Sequence, residues 1–151
     1  MTLIVEPADP RANGPRALLE ASHDLMRTNF PPEENYFLDI EDLCAPDVYF
    51  FAARLGGTTL GTGALAAKDG YGEVKSMFTA QGARGKGVAA ALLRQIEDQA
   101  RELDLPLLRL ETAELLAAAV RLYERHGFSR CGIFGDYEPN QTSVFMEKSL
   151  S

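Results

Sequence analysis

Arg84-Gly85-Lys86-Gly87-Val88-Ala89 joins two glycines and two cations to the start of an apolar helical pattern. No Ser, Thr, Asp or Asn stands at that helix start, where a side-chain cap is normally found. A helix N-terminus carries unpaired N–H groups and the positive end of the macrodipole. Glycines expose the bare backbone, and Arg84 and Lys86 add full positive charges. These residues suit an anion, and a pyrophosphate best of all, so they point to a nucleotide-bearing ligand. The same stretch also satisfies a dinucleotide-binding pattern as Gly85-Lys86-Gly87-Val88-Ala89-Ala90, with Glu111 about 24 residues beyond Gly87. That pattern belongs in a tight strand-to-helix turn, whereas Ala80-Gln81-Gly82-Ala83 intervene here, and no second nucleotide-binding half follows. The Walker pattern fails because Val88-Ala89 follow Gly87 where Lys-Ser/Thr is required.

The elements that must position this loop are legible in outline. Residues 2–6 read as a short strand. Arg16 to Arg27 carries apolar residues at helical spacing and is broken by Asn29-Phe30-Pro31-Pro32. Glu33 to Leu43 reads as a second helix, ending before Pro46. Val48–Arg54 and Thr58–Lys68 flank Gly56-Gly57, a hairpin signal. Asp69-Gly70 marks a turn before the strand Tyr71–Thr79. Gly87 to Leu103 is a helix with Val88, Leu92, Ile96 and Ala100 on one stripe. Leu107–Thr112 is a short strand, and Glu114–His126 a helix with Gly127 placed for a left-handed cap. Phe128–Phe134 and Thr142–Lys148 are the last strands. The central strand–helix–strand unit requires a right-handed crossover between locally parallel strands.

Bulk properties narrow the class. The chain has 151 residues, 46% hydrophobic and 25% charged, which is ordinary for one globular domain spanning residues 1–151. A net charge of −7 argues against a nucleic-acid binder that works through phosphate contacts. Cys44 and Cys131 lack CxxC spacing, and with His23 and His126 they form no metal pattern, so two reduced thiols in a cytoplasmic protein are expected. The N-terminus lacks the pattern of a signal peptide, and no apolar run is long enough to span a bilayer, so no membrane role is expected.

Two motifs, in order, carry a family resemblance. Arg84-Gly85-Lys86-Gly87-Val88-Ala89 is similar to the acyl-CoA signature of the GNAT superfamily of N-acyltransferases. Leu122-Tyr123-Glu124-Arg125-His126-Gly127-Phe128 resembles its second signature, with strand 107–112 between the two. The likeness covers nearly the whole chain and extends to small bacterial members. It implies an α/β GNAT fold: a mixed, partly parallel sheet of about seven strands with helices on both faces. It further implies acetyl-CoA as co-substrate, no metal, and acetylation of a primary amine by direct attack in a ternary complex. The departure is Leu116, which stands where many members carry an Asn that contacts the cofactor. That difference motivates an alternative, a non-catalytic acyl-CoA-binding module. A small nicotinamide-binding protein is the third reading.

The resemblance also implies roles. The pyrophosphate would rest on the amides of Arg84, Gly85, Lys86, Gly87, Val88 and Ala89. Strand 73–79 would part from strand 107–112 and admit the pantetheine arm, which would pair with the backbone of Met77, Phe78 and Thr79 like an added strand. A backbone N–H near Phe78 would stabilise negative charge on the thioester oxygen. The side chains of Met77 and Phe78 are expected to pack in the core. Tyr123 would donate a hydrogen bond to the departing sulfur. Glu73 is the candidate general base, with Glu111 in reserve, because an alkylammonium near pKa 10.4 must lose its proton before it can attack. Glu33, Glu34, Asn35, Tyr36, Asp136 and Tyr137 are available around the acceptor, a small molecule or a peptide amine. His126, in the last helical turn, reads as a cap favoured by the helix dipole. The apolar late strands Cys131–Phe134 and Val144–Met146 suggest a homodimer.

Overall fold

A computed structural model describes residues 2–32, 38–140 and 142–150. Seven strands form one sheet: β1 (Leu3–Pro7), β2 (Val48–Leu55), β3 (Thr58–Ala67), β4 (Gly72–Thr79), β5 (Leu107–Ala113), β6 (Ser129–Arg130) and β7 (Ser143–Ser149). Their order across the sheet is β1-β2-β3-β4-β5-β7-β6. Every neighbouring pair is antiparallel except β4 and β5, which are parallel. Among the described residues three α-helices complete the frame: α1 (Asn13–Asn29), α2 (Val88–Glu102) and α3 (Ala117–Arg125). The expected mixed sheet with a central crossover is thus present.

Alternation along β2 and β3 sends neighbouring residues to opposite faces. Phe50 and Ala64 join Leu19 of α1 and Leu43 in one cluster. Phe51, Ala53 and Leu65 join Leu92 and Ile96 of α2 and Val120 and Tyr123 of α3 in the other. The sheet therefore carries α1 on one face and α2 and α3 on the opposite one. The approach of α2 to β3 depends on Gly61 and Gly63. A Cβ at Gly61 would stand 2.5 Å from Val88 Cγ1, and one at Gly63 would stand 2.7 Å from Met77 Sδ.

Three expectations change. The helix expected at Glu33–Leu43 has its first five residues, 33–37, outside the described residues. The remainder holds only a single 3-10 turn at Asp42–Cys44. There the Asp39 carboxylate accepts from the Asp42 N–H at 2.8 Å, a local bond that competes with helix propagation. The strand expected at Phe128–Phe134 shrinks to Ser129–Arg130. Beyond it the Cys131 N–H still donates to Phe145 O at 2.8 Å, and the chain then turns away through Gly135 at φ +60°. Finally, α3 starts three residues late because β5 runs on to Ala113 and the Glu114 N–H donates to Thr142 O.

The apolar residues that suggested a homodimer are largely used within the chain. Phe134, Val144 and Met146 are buried, leaving Ile133 as the exposed large apolar residue of that region.

Candidate active site

The loop expected to meet an anion runs from Arg84 to Ala89, between β4 and α2. A 3-10 turn at Gln81–Ala83 follows β4, and Arg84 is extended. Gly85 lies at φ +82° and Gly87 at φ +77°, conformations that side chains of L-residues disfavour by about 1–2 kcal/mol. Nothing lies within 4 Å of a Cβ built at either glycine, so the outer face of the backbone is open. Gly87 caps α2 without any side-chain hydrogen bond. Arg84 and Lys86 are exposed beside it.

Next to the loop the sheet opens. The β4–β5 ladder holds Gly72↔Leu108 and Glu73↔Arg109 and goes no further. A β-bulge sets in beyond it. Ala64 pairs with Lys75 and Thr62 with Phe78, so Gly63 alone faces Ser76 and Met77. Ser76 adopts φ +56°, held by the Thr62 hydroxyl, which donates to Ser76 O at 2.9 Å. The Ser76 Oγ is buried and has no hydrogen-bond partner among the described residues. No sequence signal announced this bulge, because Ser is unremarkable in a strand and Gly63 lies on the partner.

A cleft runs through the opening. Met26 of α1 and Phe30 just past its end, Lys75 and Met77 of β4, Glu111 of β5 and Tyr123 of α3 line it, together with Leu116. Tyr123 is buried, stacks edge-to-face on Phe128 at 5.7 Å, and makes no side-chain hydrogen bond among the described residues. Burial, then the charge of Glu111, pushes its phenol well above the ordinary range. Full proton transfer from Tyr123 is thereby disfavoured, and hydrogen-bond donation is what remains. Met77 packs against the main core, as expected for its side chain.

The two carboxylates are placed differently. Glu73 is 6% exposed and engaged. The Tyr137 hydroxyl donates to its Oε2, and Lys75 Nζ donates to Tyr137 Oη at 2.8 Å and to Glu73 Oε2 at 3.4 Å. Burial, then the Glu73 charge, raises the Tyr137 phenol. Glu111 lines the cleft itself and accepts from Ser143 Oγ at 2.6 Å. Burial raises its carboxyl above the usual range, opposed by the Ser143 hydrogen bond and the Lys75 charge. The sequence reading named Tyr137 but missed Lys75, Ser76 and Ser143, which the β4 bulge and the β5–β7 register bring to the site.

Of the other expected acceptor-side residues, Glu33, Glu34, Asn35 and Tyr36 lie outside the described residues, and Asp136 is exposed. His126 is the C-cap of α3, where the sequence placed a cap. Burial lowers its imidazole pKa, the Glu97 charge opposes this, and Lys148, Arg94 and Arg125 lower it further.

A family model described as the acetyltransferase (GNAT) family matches residues 17–128. An IAA acetyltransferase of Azospirillum brasilense is 46% identical over 135 residues, which cover 88% of each chain. The uncharacterised N-acetyltransferase YsnE of Bacillus subtilis (strain 168) is 39% identical over 123 residues, 80% of this chain and 82% of that one. Among solved structures, a chain from Klebsiella pneumoniae described only provisionally as an acyl-CoA N-acyltransferase superposes with a TM-score of 0.82. It shares 30% identity, with 99% of this chain and 98% of that one covered. Fold, parted strands and relatives together define an acyltransferase. The chain belongs to the GNAT family of acetyltransferases.

Proposed function

We propose that this enzyme transfers the acetyl group of acetyl-CoA to a primary amine, by direct attack in a ternary complex. The observation that carries this reading is the open, positive-φ backbone at Gly85 and Gly87, flanked by exposed Arg84 and Lys86 and leading into the parted β4 and β5. The residues fit the pyrophosphate of CoA. The amides of Arg84 to Ala89 would hold it, and the unpaired edge of β4 at Met77, Phe78 and Thr79 would pair with the pantetheine amides. Acetyl-CoA supplies an activated acyl group, and the protein's part is to orient it, strip the amine of its proton and assist the leaving sulfur.

An amine arrives as its ammonium and cannot attack until deprotonated. We assign proton removal to Glu111, because its carboxylate lines the cleft and burial raises its pKa, which makes it a stronger base than an exposed carboxylate. Glu73 is the alternative, and its bonds to Tyr137 and Lys75 favour a positioning role. The amine nitrogen bonds to the acetyl carbon, the carbon–sulfur bond breaks, and Tyr123 donates a hydrogen bond to the sulfur. The amine's second proton passes to the thiolate, which leaves as the thiol, and the proton taken by Glu111 returns to solvent.

Calorimetry with acetyl-CoA and NADH side by side tests the loop, and free-thiol release with a panel of amines tests the chemistry. Acetyl-CoA binding with amine-dependent thiol release is the expected result. NADH binding without acetyl-CoA binding would overturn the reading.

A further inference from the structure

On the α1 side of the cleft an apolar pair, Met26 and Phe30, stands beside Ser22. The pair, at the C-terminal end of α1, forms the wall there, and Phe30 is 7% exposed. Among the described lining residues the charged groups are one carboxylate, Glu111, and one ammonium, Lys75. Lys75 is engaged by Glu73 and Tyr137, so the Glu73 charge is directed at Lys75 rather than into the cleft. The β5–β7 register sets Phe145 directly opposite Glu111, on the same face of the sheet. Phe145 packs edge-to-face on Tyr137 at 5.4 Å and on Phe134 at 5.6 Å. The carboxylate therefore stands at the border of an aromatic layer, with an apolar wall across from it.

We infer that the acceptor is a monoamine on an uncharged, apolar body, with its ammonium paired to Glu111 and its body laid against Met26 and Phe30. This rests on the amine-acetylation reading above and names its substrate class. One buried carboxylate can pair one ammonium. A second cationic group, as in a polyamine or aminoglycoside, meets Lys75 and finds no other carboxylate in the described lining. An amino acid brings a carboxylate beside Glu111, where like charges repel.

The test compares butylamine, hexylamine, spermidine and phenylalanine as acceptors, by free-thiol release from acetyl-CoA with the full chain. Hexylamine should exceed butylamine by roughly tenfold in kcat/KM, since added methylenes are read by apolar walls. It should exceed spermidine and phenylalanine by more. Met26 is half-buried on a helix, where Glu is well tolerated. Met26→Glu should therefore shift the preference from hexylamine towards spermidine while leaving acetyl-CoA binding by calorimetry unchanged. Faster turnover of spermidine or phenylalanine than of hexylamine would overturn this inference and leave the transferase reading intact. So would acetyl-CoA binding without thiol release from hexylamine, or a Met26→Glu variant that keeps the wild-type ranking. Failure to bind acetyl-CoA at all would overturn the transferase reading, and this inference with it.

Discussion

Tyr123 and Glu111 illustrate how one environment serves two different tasks. Both lie at the cleft and both are raised by burial, but in the proposed mechanism one is a phenol that stays protonated and the other a carboxyl that must ionise. Raising the phenol keeps its hydrogen in place for donation to a sulfur whose thiol has a pKa near 8.5. Tyr123→Phe is expected to lower kcat by roughly 10²-fold with little change in acetyl-CoA affinity, read by thiol release and calorimetry. For Glu111 the sign is opposite in consequence. Its folded carboxyl holds its proton above the ordinary value of 4.5, so activity that needs the carboxylate should fall as pH drops through that raised value. Glu111→Gln should lower kcat/KM and abolish that acid limb, whereas Glu73→Gln should lower activity and leave the limb in place. Stability carries a matching mark. Between the unfolded and the raised folded pKa the native state binds more protons, so ionising Glu111 as pH rises costs stability. Urea unfolding across this window should show a flatter pH dependence in Glu111→Gln.

At the scale of elements, α2 is set by glycines at two places. Gly87→Ala places a Cβ at φ +77° but in open space, so its cost is conformational, about 1–2 kcal/mol, with weaker acetyl-CoA binding expected from the altered loop. Gly63→Val meets Met77 Sδ and Ile96 and should destabilise by about 1–3 kcal/mol through overpacking. Thermal unfolding and calorimetry together separate the two, since the first variant loses ligand affinity beyond its loss of stability. Both glycines are plain in the sequence, yet only one could be read there. Gly87 sits beside cations at the head of an apolar stripe, a local pattern. The neighbour of Gly63 is α2, more than twenty residues away along the chain. The β4 bulge was illegible for the same reason, since it needs the β3 register to exist.

Across the whole molecule, β7 is tied to α2 by Lys148, whose Nζ donates to Glu97 Oε1 at 2.5 Å. Glu97 is 8% exposed, and Arg101, at 3.8 Å, is its more distant second partner. Lys148→Met should destabilise by about 3 kcal/mol in urea unfolding, because it strands a buried carboxylate with one remote cation. This tie matters to the site because β7 also supplies Ser143 to Glu111 and Phe145 to the aromatic layer.

The order of the strands and of α1, α2 and α3, the glycine-and-cation loop before α2 and the helix that carries Tyr123 were determined by local pattern: apolar periodicity, glycines beside cations, and breakers between elements. Those signals act over a few residues and survive without tertiary contacts. Tertiary structure alone decided that Glu73 would be engaged by Lys75 and Tyr137, that Glu111 would face the cleft, and that Phe134, Val144 and Met146 would fill the chain's own core. Lys75 and Tyr137 are 62 positions apart, and Glu111 and Ser143 are 32. Burial and pairing of such residues depend on strand register and on how far β4 parts from β5, and neither is encoded by the spacing of residue types along the chain.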